Sequence, residues 1–196
     1  FGYRAAYMPN VRIENREAGQ PGPGQVLVAI RRGGICGSDL HYYRHGGFGV
    51  LRLKEPMVLG HEVAGEIVSC GAGVTAVKPG DRVAVSPSRP CGTCIYCQKG
   101  QQNQCLDMLF YGSAMRMPHV QGAFRQQLVA EASQCHRLAH GISFEEAAFA
   151  EPFAVTLHAI VRAGTMTGKR LLVTGCGPIG ALAIVAARAH GAQEIV

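Results

Sequence analysis

The sequence predicts a mixed α/β protein in which a compact, barrel-like β domain precedes the beginning of a doubly wound α/β domain. Three features indicate this fold class: short β-branched segments separated by Gly and Pro, a tight cluster of cysteines, and a glycine-rich turn between an apolar segment and an Ala-rich one. We place the β domain at residues 1–150 and the α/β portion, which we expect to be truncated, at residues 151–196.

The composition restricts the class of protein and its partners. Of the 196 residues, 47% are hydrophobic and 16% are charged, which is typical of a folded globular chain. The formal net charge is +6, but the basic residues are dispersed and not interleaved with aromatics, so we expect no nucleic-acid partner. No apolar run reaches the length of about 18 residues that a membrane span needs, so we expect no membrane partner. A thiol-rich site favours a reducing cytoplasm.

The predicted strands of the first domain lie at residues 25–31, 62–70, 81–86 and 124–130. Each is rich in apolar residues, and turn-forming segments such as 21–24 and 78–81 separate them. Short strands at this spacing are typical of a small barrel.

Four cysteines within one short segment form the clearest metal-binding pattern. They are Cys91, Cys94, Cys97 and Cys105. Thiolates at this spacing can surround one tetrahedral ion, and an all-sulfur shell suits zinc. Disulfides are disfavoured, because cysteines so close in sequence rarely meet the geometry of a bridge. The alternatives are an iron–sulfur cluster, although the spacing departs from the bacterial ferredoxin run, or a coincidence of buried thiols.

The pattern changes after Gly141. Ser143 and Glu146 form a capping-box signature that predicts the start of a helix. A buried helix is predicted at residues 152–163, a fully buried strand at 169–174 and an Ala-rich helix at 181–190.

The glycine turn between that strand and that helix predicts a dinucleotide site. Its motif residues are Gly175, Gly177, Pro178, Ile179 and Gly180. The three glycines would allow a tight turn, a close approach of a pyrophosphate and close helix–strand packing, with the phosphates over the helix N-terminus. The alternative is an ordinary β–α turn. The sequence leaves NAD and NADP open as the cofactor.

A second set of potential metal ligands is spread along the chain: Cys36, His61, Glu62 and Glu151. A catalytic zinc takes about three protein ligands and keeps an open position. Taken singly, each residue also has an ordinary interpretation as a buried thiol, a surface His–Glu pair or a helix cap.

Several segments in one order carry a resemblance to a known family. Residues 33–43, 58–65, 91–105, 150–152 and 175–180 together resemble the zinc-containing medium-chain alcohol dehydrogenases, in their polyol branch. The segments at 103–108, 111–115 and 118–122 resemble members that act on a sugar acid. The resemblance covers essentially the whole chain. It implies a GroES-like catalytic domain followed by a Rossmann domain.

The resemblance also assigns roles to individual residues. It implies a catalytic zinc on Cys36, His61 and Glu62, with Glu151 approaching the metal or its water, and a structural zinc on the four clustered cysteines, hence two zinc ions per full-length subunit. Asp39 would orient His61. Ser38 would accept the alcohol proton and pass it towards His41.

The implied reaction is hydride transfer from a secondary alcohol of a polyol or sugar acid to NAD(P). The expected substrate is L-idonate, oxidised at C5 to 5-ketogluconate. The alternatives are a sorbitol- or threonine-type dehydrogenase, or a zinc-stabilised binding module without activity. We expect a homodimer or homotetramer for the full-length protein, and no activity from these residues alone.

Overall fold

The structure, a computed structural model, describes residues 11–196, and its contacts divide the chain into two compact units. The first unit ends at Ala148 and the second comprises Phe149–Val196. Residues 1–10 of the predicted first domain lie outside the described part. Within residues 11–196, the structure has no helix of the length and apolarity that crossing a membrane requires.

The first unit is mainly β-structure. Its strands are β1 (Gln25–Gly34), β2 (Gly47–Phe48), β3 (Leu51–Arg52), β4 (Glu62–Cys70), β5 (Arg82–Val85), β6 (Ser88–Arg89), β7 (Leu109–Phe110), β8 (Gln127–Glu131) and β9 (Cys135–Arg137). Its α-helices are α1 (Gly37–His45), α2 (Ile95–Gln98) and α3 (Phe144–Ala148), and two 3₁₀ turns span Gln102–Gln104 and Ala132–Gln134.

The main sheet is antiparallel with the strand order β8-β1-β4-β5-β9. The predicted strand at 62–70 is confirmed at both ends by β4. The strand predicted at 124–130 begins later, at Gln127, because the amides of Ala123 and Phe124 instead bond to the carbonyls of Gly60 and Leu59.

Alternation along the strands separates the two faces of this sheet. One face carries the aliphatic core, which includes Val26, Val28, Val63, Ile67 and Val83; burial of each such side chain contributes about 1.5–3 kcal/mol. The other face presents small residues, among them the paired Ala64 and Ala84, and α3 packs there through Ala147 and Ala148.

The second unit is a β-α-β arrangement preceded by a helix. It contains α4 (Ala150–Ala163), β10 (Arg170–Leu171), α5 (Pro178–Ala189) and β11 (Glu194–Ile195), and the two strands are parallel. Its core is made by Ile160, Met166, Ala186, Ala187 and Ala192.

Two predictions for this unit were wrong in extent. The segment at 169–174 is not fully buried, since Leu172 is 70% exposed; a parallel strand is buried only when helices cover both of its faces. The helix predicted as buried at 152–163 buries a single face through Pro152, Thr156 and Ile160, and leaves Val155 and Val161 exposed.

Candidate metal and active site

The sulfurs of the segment after β6 converge on one point. One ligand atom each of Cys91, Cys94, Cys97 and Cys105 lies within 4.8 Å of the others, and the Sγ atoms of Cys91 and Cys97 are 4.0 Å apart. Sulfurs that share a tetrahedral zinc at a bond length of about 2.3 Å lie about 3.8 Å apart. All eight cysteines are free thiols. The donor set and its spacing therefore fit a four-coordinate zinc ion.

Backbone amides are directed at these sulfurs. The N–H of Cys94 donates to Cys91 Sγ at 3.3 Å, and the N–H of Cys91 donates to Cys105 Sγ at 3.2 Å. Hydrogen bonds from the backbone of Thr93 and Cys94 lower the pKa of the Cys91 thiol to about 6, whereas burial raises the pKa of Cys97 to about 12. Since four thiols would fill a tetrahedral shell, this cluster has no position for a substrate.

A second cluster joins two segments that are distant in sequence. One ligand atom each of Cys36, His61 and Glu62 lies within 4.8 Å of the others. Cys36 is the N-cap of α1, His61 directly precedes β4 and Glu62 is the first residue of β4. His61 and Glu62 are only 5% and 8% exposed. A thiol, an imidazole and a carboxylate are three donors that a catalytic zinc accepts, with one position left open.

The pairing of β1 with β4 brings this cluster together. Gly34 at the end of β1 is opposite Glu62, and Cys36 follows two residues later. A Cβ at position 34 would lie 2.2 Å from Glu62 Oε2. The carboxylate of Glu62 thus lies over the backbone of Gly34, in space that any other residue would fill.

The electrostatics of the cluster suit a cation. A side-chain hydrogen bond with His61 lowers the pKa of the Cys36 thiol. Burial raises the pKa of the Glu62 carboxyl above its usual value. A cation held among these groups would compensate for the removal of the carboxylate from water.

Asp39 connects the two segments that carry the cluster. It is 2% exposed, and its carboxylate accepts the N–H of Cys36 and the N–H of Gly60, both at 3.0 Å. Its Oδ1 lies 3.8 Å from His61 Nδ1, which is longer than a hydrogen bond. The predicted contact between Asp39 and His61 is therefore weaker than the two hydrogen bonds that Asp39 accepts from the backbone of Cys36 and Gly60.

Ser38 and His41 lie on α1, which sequence reasoning did not predict as a helix. A separation of three residues places them on the same helix face. The Ser38 hydroxyl bonds with the Cys36 thiol, and His41 is exposed, with its ring 6.2 Å from that of Phe48. The chain thus places Ser38 next to the cluster and His41 towards solvent.

The buried His119 and the half-buried Gln121 hold the backbone before His61, and sequence reasoning assigned neither a role. Lys54 N–H donates to His119 Nε2 at 2.9 Å, while His119 Nδ1 bonds with the carbonyl of Arg116 at 2.8 Å. Val58 N–H donates to the side chain of Gln121. No local pattern marks such partners, because they depend on which distant segments meet.

Two more contacts shape the approach to the cluster. The ring of Phe110 lies 5.3 Å from that of His61. Gly60 has φ +92°, and a Cβ there would lie 2.2 Å from the Phe124 ring. Only glycine satisfies both conditions immediately before His61.

The glycine turn lies in the second unit, between β10 and α5. Gly175 has φ +94°, Gly177 is the N-cap of α5 and Pro178 begins the helix, which favours Pro at its first position. A Cβ on Gly180 would lie 1.9 Å from the carbonyl oxygen of Gly175, whereas one on Gly177 would meet nothing within 4 Å. The exposed Ile179 follows Pro178. Helix α5 thus begins earlier than the predicted residue 181, and its N-terminal amides are available for an anion.

Glu151 also belongs to the second unit. It lies in the first turn of α4 and is half-buried. Its approach to the catalytic cluster remains a prediction from the family resemblance.

Known proteins match this chain clearly. The alcohol dehydrogenase GroES-like domain family matches residues 22–140. The L-idonate 5-dehydrogenase (NAD(P)(+)) of Escherichia coli is 49% identical over 171 residues, which cover 87% of this chain and 49% of that protein. The sorbitol dehydrogenase of Gallus gallus is 42% identical over 187 residues, which cover 95% of this chain and 52% of that protein.

Solved structures agree with these matches. The crystal structure of the Escherichia coli L-idonate 5-dehydrogenase superposes with a TM-score of 0.83 at 48% identity, over 88% of this chain and 49% of that one. A structure from Sinorhizobium meliloti bound to NADP superposes with a TM-score of 0.85 at 32% identity, over 95% of this chain and 52% of that one. The chain spans about half the length of the relatives it matches. With its GroES-like domain, its four-cysteine cluster and the cluster of Cys36, His61 and Glu62, the chain belongs to the zinc-dependent medium-chain alcohol and polyol dehydrogenases.

Proposed function

We propose that the protein oxidises a secondary alcohol of a polyol or sugar acid, with L-idonate as substrate, 5-ketogluconate as product and NAD or NADP as hydride acceptor. The observation that carries this proposal is the convergence of Cys36, His61 and Glu62 within 4.8 Å. A purely structural domain needs only the four-cysteine site. The mixed donors of the second cluster support a catalytic zinc, because three ligands would leave one position of a four-coordinate ion open.

The proposed reaction needs a proton to leave the hydroxyl as a hydride leaves the same carbon. A zinc ion on Cys36, His61 and Glu62 would supply Lewis acidity, which eases the loss of the hydroxyl proton. Ser38 accepts this proton and His41 passes it to solvent, since Ser38 adjoins the cluster and His41 on the same helix face is exposed. Loss of the hydride from the same carbon leaves the carbonyl, and a bound nicotinamide would supply the hydride acceptor.

The glycine turn supports the choice of a nicotinamide dinucleotide. The open space at Gly177 and the amides at the start of α5 suit a pyrophosphate. Both relatives described above are dehydrogenases, and one is named for NAD(P)(+). We assign this turn, through Gly175, Gly177, Pro178, Ile179 and Gly180, as the phosphate-binding part of the cofactor site.

The choice of L-idonate follows the identity of 49% to the Escherichia coli enzyme. Sorbitol is the second candidate, because the match to the sorbitol dehydrogenase covers more of this chain. Initial rates of the full-length protein with L-idonate and with sorbitol, each with NAD and with NADP, decide between them. Two bound zinc ions without oxidation of any polyol or sugar acid would contradict the proposal and favour a binding module.

The ligand assignment has its own test. In the full-length protein, Cys36→Ser should reduce the zinc content from two ions per chain to one and abolish oxidation, because the soft donor of the open site is lost. Cys70→Ser is the control, since Cys70 lies outside both clusters. Metal analysis of both variants is the measurement. Two zinc ions in Cys36→Ser would exclude Cys36 as a ligand.

A further inference from the structure

A cavity of about 210 Å³ lies in the first unit, and none of its lining residues belongs to the four-cysteine cluster or to the cluster of Cys36, His61 and Glu62. Leu109 and Tyr111 line it, whereas Phe110 between them contacts the ring of His61. Successive side chains of an extended segment point to opposite faces. The cavity therefore opens on the face of this segment that is turned away from His61.

Two arginines line this cavity, and their surroundings differ. Arg89 lies at the exposed rim and forms an ion pair with Glu131 at 3.4 Å. Arg125 is half-buried, and its Nε donates to the carbonyl of Gly122 at 2.9 Å. This bond fixes the plane of the guanidinium and leaves its terminal nitrogens as donors.

No carboxylate of the described residues forms an ion pair with Arg125. Among residues 11–196, the ion pairs of the structure do not include it. Burial lowers the pKa of Arg125; the nearby Tyr111 opposes this shift, and Arg16 adds to it. A guanidinium in this position costs solvation free energy, and an anion with oxygen acceptors would recover it.

The lining also includes the polar Gln121, while its apolar side chains include Pro87, Val120, Leu128 and Val129. They reduce the competition of water for the guanidinium, which strengthens a charge-assisted hydrogen bond. A cavity of about 210 Å³ lies below the range of about 300–1,000 Å³ typical of pockets for drug-sized ligands, so the ligand must be small.

We propose that this cavity is a binding site for a small oxyanion, a carboxylate or a phosphate, whose oxygens accept hydrogen bonds from the terminal nitrogens of Arg125 while Arg89 adds positive charge at the rim. The site is separate from both clusters of potential metal ligands and does not depend on the proposed reaction. A carboxylate with a short hydroxylated chain and inorganic phosphate both satisfy this chemistry.

Calorimetric titration of the full-length, zinc-loaded protein at low ionic strength tests the proposal. The probes are inorganic phosphate and D-gluconate, and the response to each shows whether the site takes phosphate, carboxylate or both. We expect at least one of them to bind at one equivalent per chain, and added salt to weaken the binding.

Variants locate the site. Arg125→Gln should weaken the binding at least tenfold, and Arg125→Lys should weaken it less, because lysine keeps the charge and loses the planar fork. Arg52→Gln is the matched control, because Arg52 also donates to backbone carbonyls, of Gly49 and Leu51, and lies on the surface outside the cavity.

Arg89→Gln provides a second test that leaves the Arg125–Gly122 bond in place, and it should weaken the binding about threefold, as expected for a rim charge worth well under 1 kcal/mol. Thermal melts of each variant verify folding.

The proposal is overturned if neither probe binds at millimolar concentration, or if the binding persists in Arg125→Gln. It is equally overturned if Cys36→Ser removes the binding and Arg125→Gln does not, since the anion would then occupy the catalytic cluster.

Discussion

Asp39 shows how much a single side chain contributes to the candidate catalytic site. The family resemblance predicts that it orients His61, whereas its 3.0 Å hydrogen bonds go to the backbone amides of Cys36 and Gly60. The two amides belong to segments that bear different ligands. Sequence reasoning could identify the residue but not these partners, because they exist only after β1 and β4 have paired.

Replacement of Asp39 should therefore affect zinc binding at one site only. In Asp39→Asn one oxygen acceptor and the charge are lost, so zinc should bind the Cys36 cluster about 10- to 100-fold more weakly, as is usual for groups that orient metal ligands. The measurement is competitive titration with a chelator, which resolves two zinc affinities per chain.

Asp81→Asn serves as the comparison for this variant. Asp81 also accepts a backbone amide, that of Lys78, but in a turn outside both clusters. An unchanged affinity at the Cys36 cluster in Asp39→Asn would contradict a positioning role for Asp39.

The helices differ in how well local sequence predicts them. The capping box of α3 is confirmed by the reciprocal hydrogen bonds of Ser143 and Glu146. Helix α1 was missed, since its N-cap is Cys36 and its first residue is Gly37, neither of which signals a helix strongly. It is held instead by tertiary contacts such as the Tyr42 hydroxyl, which accepts the N–H of Ala114 at 3.0 Å.

The capping box should give α3 a pH-dependent stability. Hydrogen bonds from Ser143 lower the pKa of Glu146 in the folded state, so its contribution is present above the unfolded pKa of about 4.3 and is lost as the pH falls through the folded pKa. At pH 7, Ser143→Ala should lower the free energy of unfolding by about 1 kcal/mol. Urea unfolding at pH 7 and pH 3.5 should show that this difference shrinks in acid.

Glu146→Gln separates the hydrogen bond from the titration. Glutamine completes a capping box without ionising, so this variant should stay close to the wild type at pH 7. Its stability should fall less between pH 7 and pH 3.5 than that of the wild type, because the glutamine does not titrate. A difference for Ser143→Ala that is independent of pH would argue against the ionised cap.

The glycines at the start of α5 should respond differently to a methyl group. Gly180→Ala should destabilise the second unit, because the new Cβ would collide with the carbonyl of Gly175. Gly177→Ala should lower the free energy of unfolding by less than about 1 kcal/mol, since the new Cβ would meet nothing within 4 Å and Gly177 has an ordinary φ of −69°. It should still weaken the binding of NAD(P), because the methyl group occupies the proposed pyrophosphate space. Thermal melts and cofactor titration of the pair distinguish these effects.

At the scale of the whole molecule, the sequence predicted the order of the parts better than their extent. The GroES-like domain is confirmed by the family match over residues 22–140. The four clustered cysteines lie together, as do Cys36, His61 and Glu62, whereas a zinc-binding role for these residues and for Glu151 stays a prediction. The order of these residues and the spacing of the four cysteines can be read directly from the sequence. The exposed face of α4 and the partly exposed 169–174 segment were not foreseen, since burial depends on the layers that surround an element.

The four-cysteine cluster should stabilise the fold without taking part in the reaction. Cys97→Ser should leave one zinc ion per chain and lower the free energy of unfolding by about 2 kcal/mol or more, because loss of a structural metal is among the larger single-residue effects. Limited proteolysis should then cut within residues 91–105. Cys135→Ser is the control for a buried thiol outside the clusters; a Cys97→Ser protein with two zinc ions would contradict the assignment.

Gly60 has a consequence for how this scaffold can evolve. A side chain at this position would collide with Phe124 and strain the backbone directly before His61. Substitutions of Gly60 should therefore destabilise the fold. Phe48, in contrast, is 38% exposed and lies beside His41, and its φ is not in the region that requires glycine. Substitutions can thus accumulate at the periphery of this scaffold while the backbone that carries His61 keeps its conformation.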